Sequence, residues 1–256
     1  MQFGAERAIT SVSNGEGSSI LTNRAFEGRL DMVFKHDPGV LRDEFEQNGY
    51  VHLKDVLGDN FLAHLSAFYE QTQAEDYREQ ENWKIYGKKR QFLYNFASHE
   101  DAIEFRDGMA KLIGVDEDAL TISERHLKVY DQDAEEWPAP HKDRAASAVS
   151  IGLPIHLPEG SSVCVFPELD FGANREERAV FLTEKDHPDL EQVYSKEQAV
   201  LLNESVGDVV VFLGSSIFHE RVKAAGAAIL YIKVNDDGRD PLGENIYGDA
   251  SATDPA

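Results

Sequence analysis

The chain has 256 residues, 41% of them apolar, with 47 acidic against 25 basic side chains and a net charge of −22. So negative a surface repels nucleic-acid phosphates and anionic lipids, which argues against either as a partner. The single cysteine, Cys164, excludes an internal disulfide and a thiolate metal cage, and no apolar run approaches the roughly 20 residues needed to span a bilayer. With no basic-then-apolar leader at the start, a soluble cytoplasmic protein is expected.

Residues 1–37 open with serines, glycines and an asparagine (Ser11, Ser13, Asn14, Gly15, Gly17, Ser18, Ser19) and read as an irregular extension. Helical periodicity follows from Pro38 to about residue 118. Leu41 and Phe45 with a stop at Gly49 predict a short helix, and Tyr50-Val51-His52-Leu53 a strand. Phe61, Leu62, Leu65, Phe68 and Tyr69 mark one face of a longer helix. Ser98 caps another, with Glu100 and Asp101 in the first turn, where the helix dipole favours acids. Residues 75–97 mix aromatics with Lys84, Lys88, Lys89 and Arg90 and carry no clear period.

From about 119 the pattern turns to short strands, predicted over 120–130, 147–156, 162–166, 206–213, 217–223 and 227–234. Cys164 falls in the apolar alternation of the third and reads as a small core residue. Helices followed by many short strands predict an α+β fold, a double-stranded β-helix (jelly-roll) barrel over 119–235 backed by N-terminal helices. The whole of 38–235 is expected as one domain, with 236–256 as an extended C-terminal tail.

Histidine followed by an acid two residues on occurs three times, at His99-Asp101, His141-Asp143 and His187-Asp189. The first lies in a helix's opening turn, where acids serve capping. The last straddles Pro188 in a polar loop. Only His141 stands at the mouth of a strand, after Pro138-Ala139-Pro140. Far downstream, the apolar run from Gly207-Asp208 through Phe212 exits at Ser215-Ser216 and His219. Two imidazoles and one carboxylate make a facial triad suited to Fe(II) with open positions for oxygen and a co-substrate. His141, Asp143 and His219 are therefore the candidate metal ligands and catalytic residues, provided the two segments are neighbours.

Taken together, these motifs resemble the non-haem Fe(II)/2-oxoglutarate-dependent dioxygenases, in particular the phytanoyl-CoA-dioxygenase-like branch. The resemblance runs over about 38–235. It rests on Asn48-Gly49-Tyr50-Val51, on His141 and Asp143, on the turn and strand Glu159 to Pro167, and on Gly207 to His219. It implies an enzyme that takes Fe(II), 2-oxoglutarate and O2 and hydroxylates an unactivated C–H bond of a small molecule, releasing succinate and CO2. Relatives that desaturate, cyclise or epimerise share the same cofactors, and a non-catalytic jelly-roll binding protein is the reading from another class. A carboxylate at Asp143, where radical halogenases of this group carry glycine, favours hydroxylation over halogenation.

One part of the pattern is missing. The family places a basic residue soon after the distal histidine to hold the far carboxylate of 2-oxoglutarate, and here that position is Ala228. Strand alternation puts Ile229, Tyr231 and Lys233 on one face and Leu230 and Ile232 on the other. If the apolar face packs under the helices, Tyr231 and Lys233 point inward, and Lys233 is the first candidate anchor. Lys128 is the second: Glu124, His126, Lys128 and Tyr130 share one strand face that meets either solvent or a polar cavity. Arg221, two residues past His219, is the third. For substrate, Glu124 and Arg144 would suit a zwitterion such as an amino acid or a specialised metabolite, with Arg144 equally able to bridge across the barrel mouth. Trp137 is the third substrate-binding candidate, with a hydrophobic lid on a loop as its other reading.

Overall fold

The computed structural model describes residues 32–74, 90–135, 140–169, 172–182 and 199–247. Three α-helices among the described residues precede most of the strands: α1 (Arg42–Asn48), α2 (Asp59–Thr72) and α3 (His99–Ile113). Helix α1 ends where Gly49 adopts φ 75° and its N–H bonds the Phe45 carbonyl, a left-handed cap that glycine supplies without steric cost. Helix α3 is capped by Ser98, whose Oγ accepts from the Asp101 N–H, and Glu100 and Asp101 lie in its first turn.

Eleven strands are found among the described residues: β1 (Tyr50–Leu53), β2 (Arg90–Leu93), β3 (Thr121–Val129), β4 (His141–Lys142), β5 (Val149–His156), β6 (Ser162–Phe166), β7 (Val180–Phe181), β8 (Val200–Leu202), β9 (Val209–Phe212), β10 (Phe218–Val222) and β11 (Ala228–Asn235). They form two antiparallel sheets, one ordered β1-β9-β5-β11-β3-β2 and the other β7-β4-β10-β6-β8. The mixed helix-and-sheet architecture is the expected one. Four short strands, β2, β4, β7 and β8, have no counterpart among the predicted elements.

Alternation decides which side each residue serves. Leu230, Ile232 and Val234 of β11 join Ile151, Leu153, Val209, Val211, Phe105 and Leu112 in one core between the six-stranded sheet and the helices. Burial of each such side chain contributes about 1.5–3 kcal/mol. The opposite face of this sheet meets the five-stranded sheet: Val210 and Phe212 of β9 pack on Val163 and Val165 of β6 and Leu202 of β8. Cys164 points the other way, into a cluster with Phe166, Leu182 and Phe218. Burial, with Glu220 adding to it, pushes its thiol up to about 12.

The turn before β9 has its own structural task. Gly207 takes φ 100°, and Asp208 accepts from the Asp55 and Ser205 backbone N–H groups and from His52 Nε2, each at 2.8 Å. One carboxylate thus ties β9 to β1.

The segment from Asp236 is not an extended tail through its described part. Glu244 accepts from the Arg125 N–H at 2.9 Å and its carbonyl from Arg125 Nε at 2.9 Å. Asn245 accepts from the Ile122 N–H at 3.1 Å, and Tyr247 donates to the Ala102 carbonyl at 3.1 Å. The bonds to the Ile122 and Arg125 N–H groups satisfy the edge of β3 beyond the reach of β2. Their partners are side chains, which strand periodicity does not reveal. No described helix is long and apolar enough to cross a membrane.

Candidate metal centre

Register brings the two histidines together. His141 of β4 lies directly opposite His219 of β10, and their rings stand 4.4 Å apart. Asp143 leaves β4 one residue past its end, its N–H bonded to the Gly214 carbonyl at 2.8 Å, so the loop after β9 turns the carboxylate back between the rings. Asp143 Oδ1 is 3.8 Å from His141 Nε2 and Oδ2 is 3.6 Å from His219 Nε2. One ligand atom from each of the three residues falls within 4.8 Å of the others. His219 Nδ1 lies 3.0 Å from the Ile217 carbonyl; donating there leaves Nε2 as the electron-pair donor, the arrangement usual for a metal-ligating imidazole. The triad could hold a metal ion, and its two-nitrogen, one-carboxylate chemistry suits Fe(II).

No family model matches the sequence, and neither does any curated protein. Solved structures do match. The epimerase SnoN, in complex with Fe3+, alpha ketoglutarate and nogalamycin RO, is 12% identical with a TM-score of 0.53, covering 86% of this chain and 92% of its own. EctD from S. alaskensis in its apoform is 14% identical with a TM-score of 0.50, covering 83% and 87%. The non-heme alpha ketoglutarate dependent carbocyclase SnoK from nogalamycin biosynthesis is 14% identical with a TM-score of 0.49, covering 76% and 84%. SnoN and EctD share this chain's fold.

The surroundings of this triad are visible in detail. Asp143 Oδ2 accepts from Ser150 Oγ at 2.5 Å and Oδ1 from Lys233 Nζ at 2.6 Å, while its carbonyl accepts from Asn174 Nδ2 at 2.7 Å. Gly214 packs so tightly on this group that a Cβ there would sit 2.7 Å from Asp143 Oδ2. Burial alone would push the Asp143 carboxyl up. Lys233 first, then His219, His141 and Lys128, outweigh it and hold the group well below the usual carboxylate range, so it stays an anionic ligand.

The other inward residues form one ionic group. Lys233 and Tyr231 do face the space between the sheets, paired in register with Glu124 and His126 of β3. Of the two readings of that β3 face, a polar interior is the one found: Lys128 is 6% exposed and Lys233 7%. Glu124 is shared by three cations, Lys128 at 2.8 Å, Arg144 at 3.4 Å and Lys233 at 3.7 Å. Burial raises its pKa, but Lys128 and then Lys233 bring it well below the ordinary value. Lys128 also stands over the Tyr231 ring, 5.3 Å from its centroid.

Several expected roles meet different partners. Lys233, the first candidate anchor for 2-oxoglutarate, spends its shortest contact on Asp143. Arg221 donates to Tyr231 Oη at 3.1 Å, to Ser161 Oγ at 3.2 Å and to Glu204, so its charge is already matched by a buried carboxylate. Arg144 bridges to Glu124 and donates to the Ser123 carbonyl at 3.0 Å, the bridging alternative. Ala228 is buried in the helix-side core, remote from the cations. Trp137 and the His187-Asp189 pair lie outside the described residues.

Ser150, Asn174, Gly214, Glu204 and Phe181 escaped the sequence reading. Phe181 of β7 pairs in register with His141, its ring stacks at 5.2 Å on that imidazole, and it is 53% exposed. Only Ser150 carried a signal, as a lone hydroxyl on the inward face of an otherwise apolar strand.

Proposed function

We propose that this chain is a 2-oxoglutarate-dependent non-haem iron oxygenase of the phytanoyl-CoA-dioxygenase-like pattern, its two sheets forming a jelly-roll core, and that it hydroxylates an unactivated C–H bond of a small molecule. The observation that carries the reading is the convergence of His141, Asp143 and His219 within 4.8 Å. Fe(II) bound there, with 2-oxoglutarate and O2, would supply the oxidising power, with succinate and CO2 released.

The interior suits a dianionic co-substrate. Lys128, Arg144 and Lys233 face only Glu124 and Asp143 within this group, a surplus of cation before any metal is added. Lys128 is the proposed anchor for the distal carboxylate, because Arg221 is matched by Glu204 and Lys233 by Asp143, whereas Glu124 is divided among three cations. Tyr231 lies between Lys128 and Arg221 and would wall the co-substrate. The exposed Phe181 would offer the substrate an apolar face beside His141. A charged substrate would contend with Glu124 and Arg144, and Trp137 remains the third substrate-binding candidate.

The test is release of labelled CO2 from 1-labelled 2-oxoglutarate by purified protein given Fe(II) and oxygen. Release that depends on iron and falls to background in Asp143→Ala is expected. Equal release by that variant, or none from the unaltered protein at any 2-oxoglutarate concentration, would overturn the proposal.

A further inference from the structure

Lys233 is in direct contact with a carboxylate of the triad, and that contact has a consequence for a bound metal. Its ammonium sits 2.6 Å from Asp143 Oδ1 with both side chains under 10% exposed (9% and 4%). It is carried on β11, bonded on both sides to β3 and β5, so its base cannot drift. Ser150 holds the other carboxylate oxygen, and Asp143 is thus fixed at both atoms. We infer that Lys233 is a positioning residue that also tunes the centre, its fixed positive charge biasing bound iron toward the ferrous state. This rests on the iron reading above.

Two effects act in the same direction. Loss of one electron from Fe(II) to give Fe(III) raises the local charge by one, and a buried cation opposes that rise far more strongly than it would in water. A charge-assisted hydrogen bond also draws electron density from the carboxylate, making it a weaker donor, which costs Fe(III) more than Fe(II). Hydrogen bonds to ligands and nearby charge tune metal potentials in this way. The other cations of the group, Lys128 and Arg144, meet Glu124 rather than the triad, so the effect belongs chiefly to Lys233. An oxygenase needs ferrous iron at rest, and a lysine in this place would slow its loss to the ferric form between turnovers.

The test is the midpoint potential of the iron-loaded protein, without 2-oxoglutarate, by anaerobic mediated titration followed through the ferric EPR signal. Lys233→Gln keeps a hydrogen-bond donor and removes the charge; Lys233→Arg keeps the charge; Lys233→Met removes both. The Gln and Met variants are expected to favour Fe(III) over Fe(II) by a further tenfold or more, a fall of about 59 mV for each tenfold in this one-electron couple. Lys233→Arg should stay close to the unaltered protein. If Met fails to fold, Gln alone decides. A merely structural lysine would change the affinity for both oxidation states together and leave the potential where it was, which overturns the inference. So does an unchanged potential accompanied by loss of 2-oxoglutarate affinity, which would return Lys233 to the role of co-substrate anchor. Failure of the unaltered protein to bind iron removes the iron reading itself and is separate from either result.

Discussion

A Cβ at Gly214 would lie 2.5 Å from Ser150 Oγ as well as against Asp143, so Gly214→Ala must displace the hydroxyl, the carboxylate or both. Its backbone φ is not in the left-handed region, which leaves crowding as the only cost. Shifting groups that orient a metal ligand typically costs about 10–100-fold in metal affinity, and that is the loss expected when Co(II) is titrated as a redox-inert probe. Unchanged affinity would mean that Ser150 and Asp143 move freely and that the packing around the carboxylate is incidental. The triad residues themselves were legible because imidazole and carboxylate have few other uses at the mouth of a strand. The residues that hold them were not. Ser150, Asn174 and Gly214 touch Asp143 across separations of 7, 31 and 71 positions (150 − 143, 174 − 143 and 214 − 143), and beyond the lone hydroxyl of Ser150 on its strand nothing in their own neighbourhoods marks them.

Strand β10 shows how one element serves two purposes on one face. His219 contributes to the triad, and Arg221 makes a buried ion pair with Glu204, with side chains 2% and 0% exposed. Removing one partner of such a pair leaves an uncompensated charge and costs about 3–5 kcal/mol. Glu204→Gln should therefore lower the urea midpoint sharply, and the apolar double replacement Arg221→Met with Glu204→Leu should recover most of the loss. A small effect of the single change would mean that water reaches the guanidinium. Strand β3 ends in a different kind of contact. His126 Nε2 lies 3.0 Å from Glu244 and Nδ1 3.7 Å from Glu124. Burial disfavours the imidazolium, but the neighbouring carboxylates of Glu124 and then Glu244 outweigh it and raise the pKa. A raised folded-state pKa stabilises fully below the unfolded value of about 6.5 and is lost as pH rises through the folded one. Amide protection of residues 240–247, corrected for intrinsic exchange, should therefore weaken as pH rises above about 6.5, and His126→Gln should abolish that dependence. Protection that is flat with pH in the unaltered protein would contradict it. The helix α2 was readable from its apolar spacing, α3 from the Ser98 cap and the acids of its first turn, and β5 and β11 from their apolar runs. The strands β4, β7 and β8, of two, two and three residues, are too short to show a period, yet β4 and β7 place His141 beside His219 and Phe181.

Among the described residues, the buried charges do not follow the sign of the whole chain: acids and bases are buried alike. The chain carries a net −22, while the space between the sheets gathers Lys128, Arg144, Lys233 and Arg221. Composition gave the sign of the surface but could not give that of the interior, because alternation alone leaves a polar strand face equally suited to water and to a cavity. Only the second sheet, laid across Glu124, Lys128 and Lys233, decides between them. A triad with surplus cation beside it is what the proposed oxygenase requires. The most direct measurement is an anaerobic titration of the protein with Fe(II) and then 2-oxoglutarate, watched for the weak visible charge-transfer band of the chelate. A band that appears in the unaltered protein, is lost in His219→Ala and needs far more 2-oxoglutarate in Lys128→Ala is the predicted result. Iron that binds with no band, or no iron binding at all, would contradict the account.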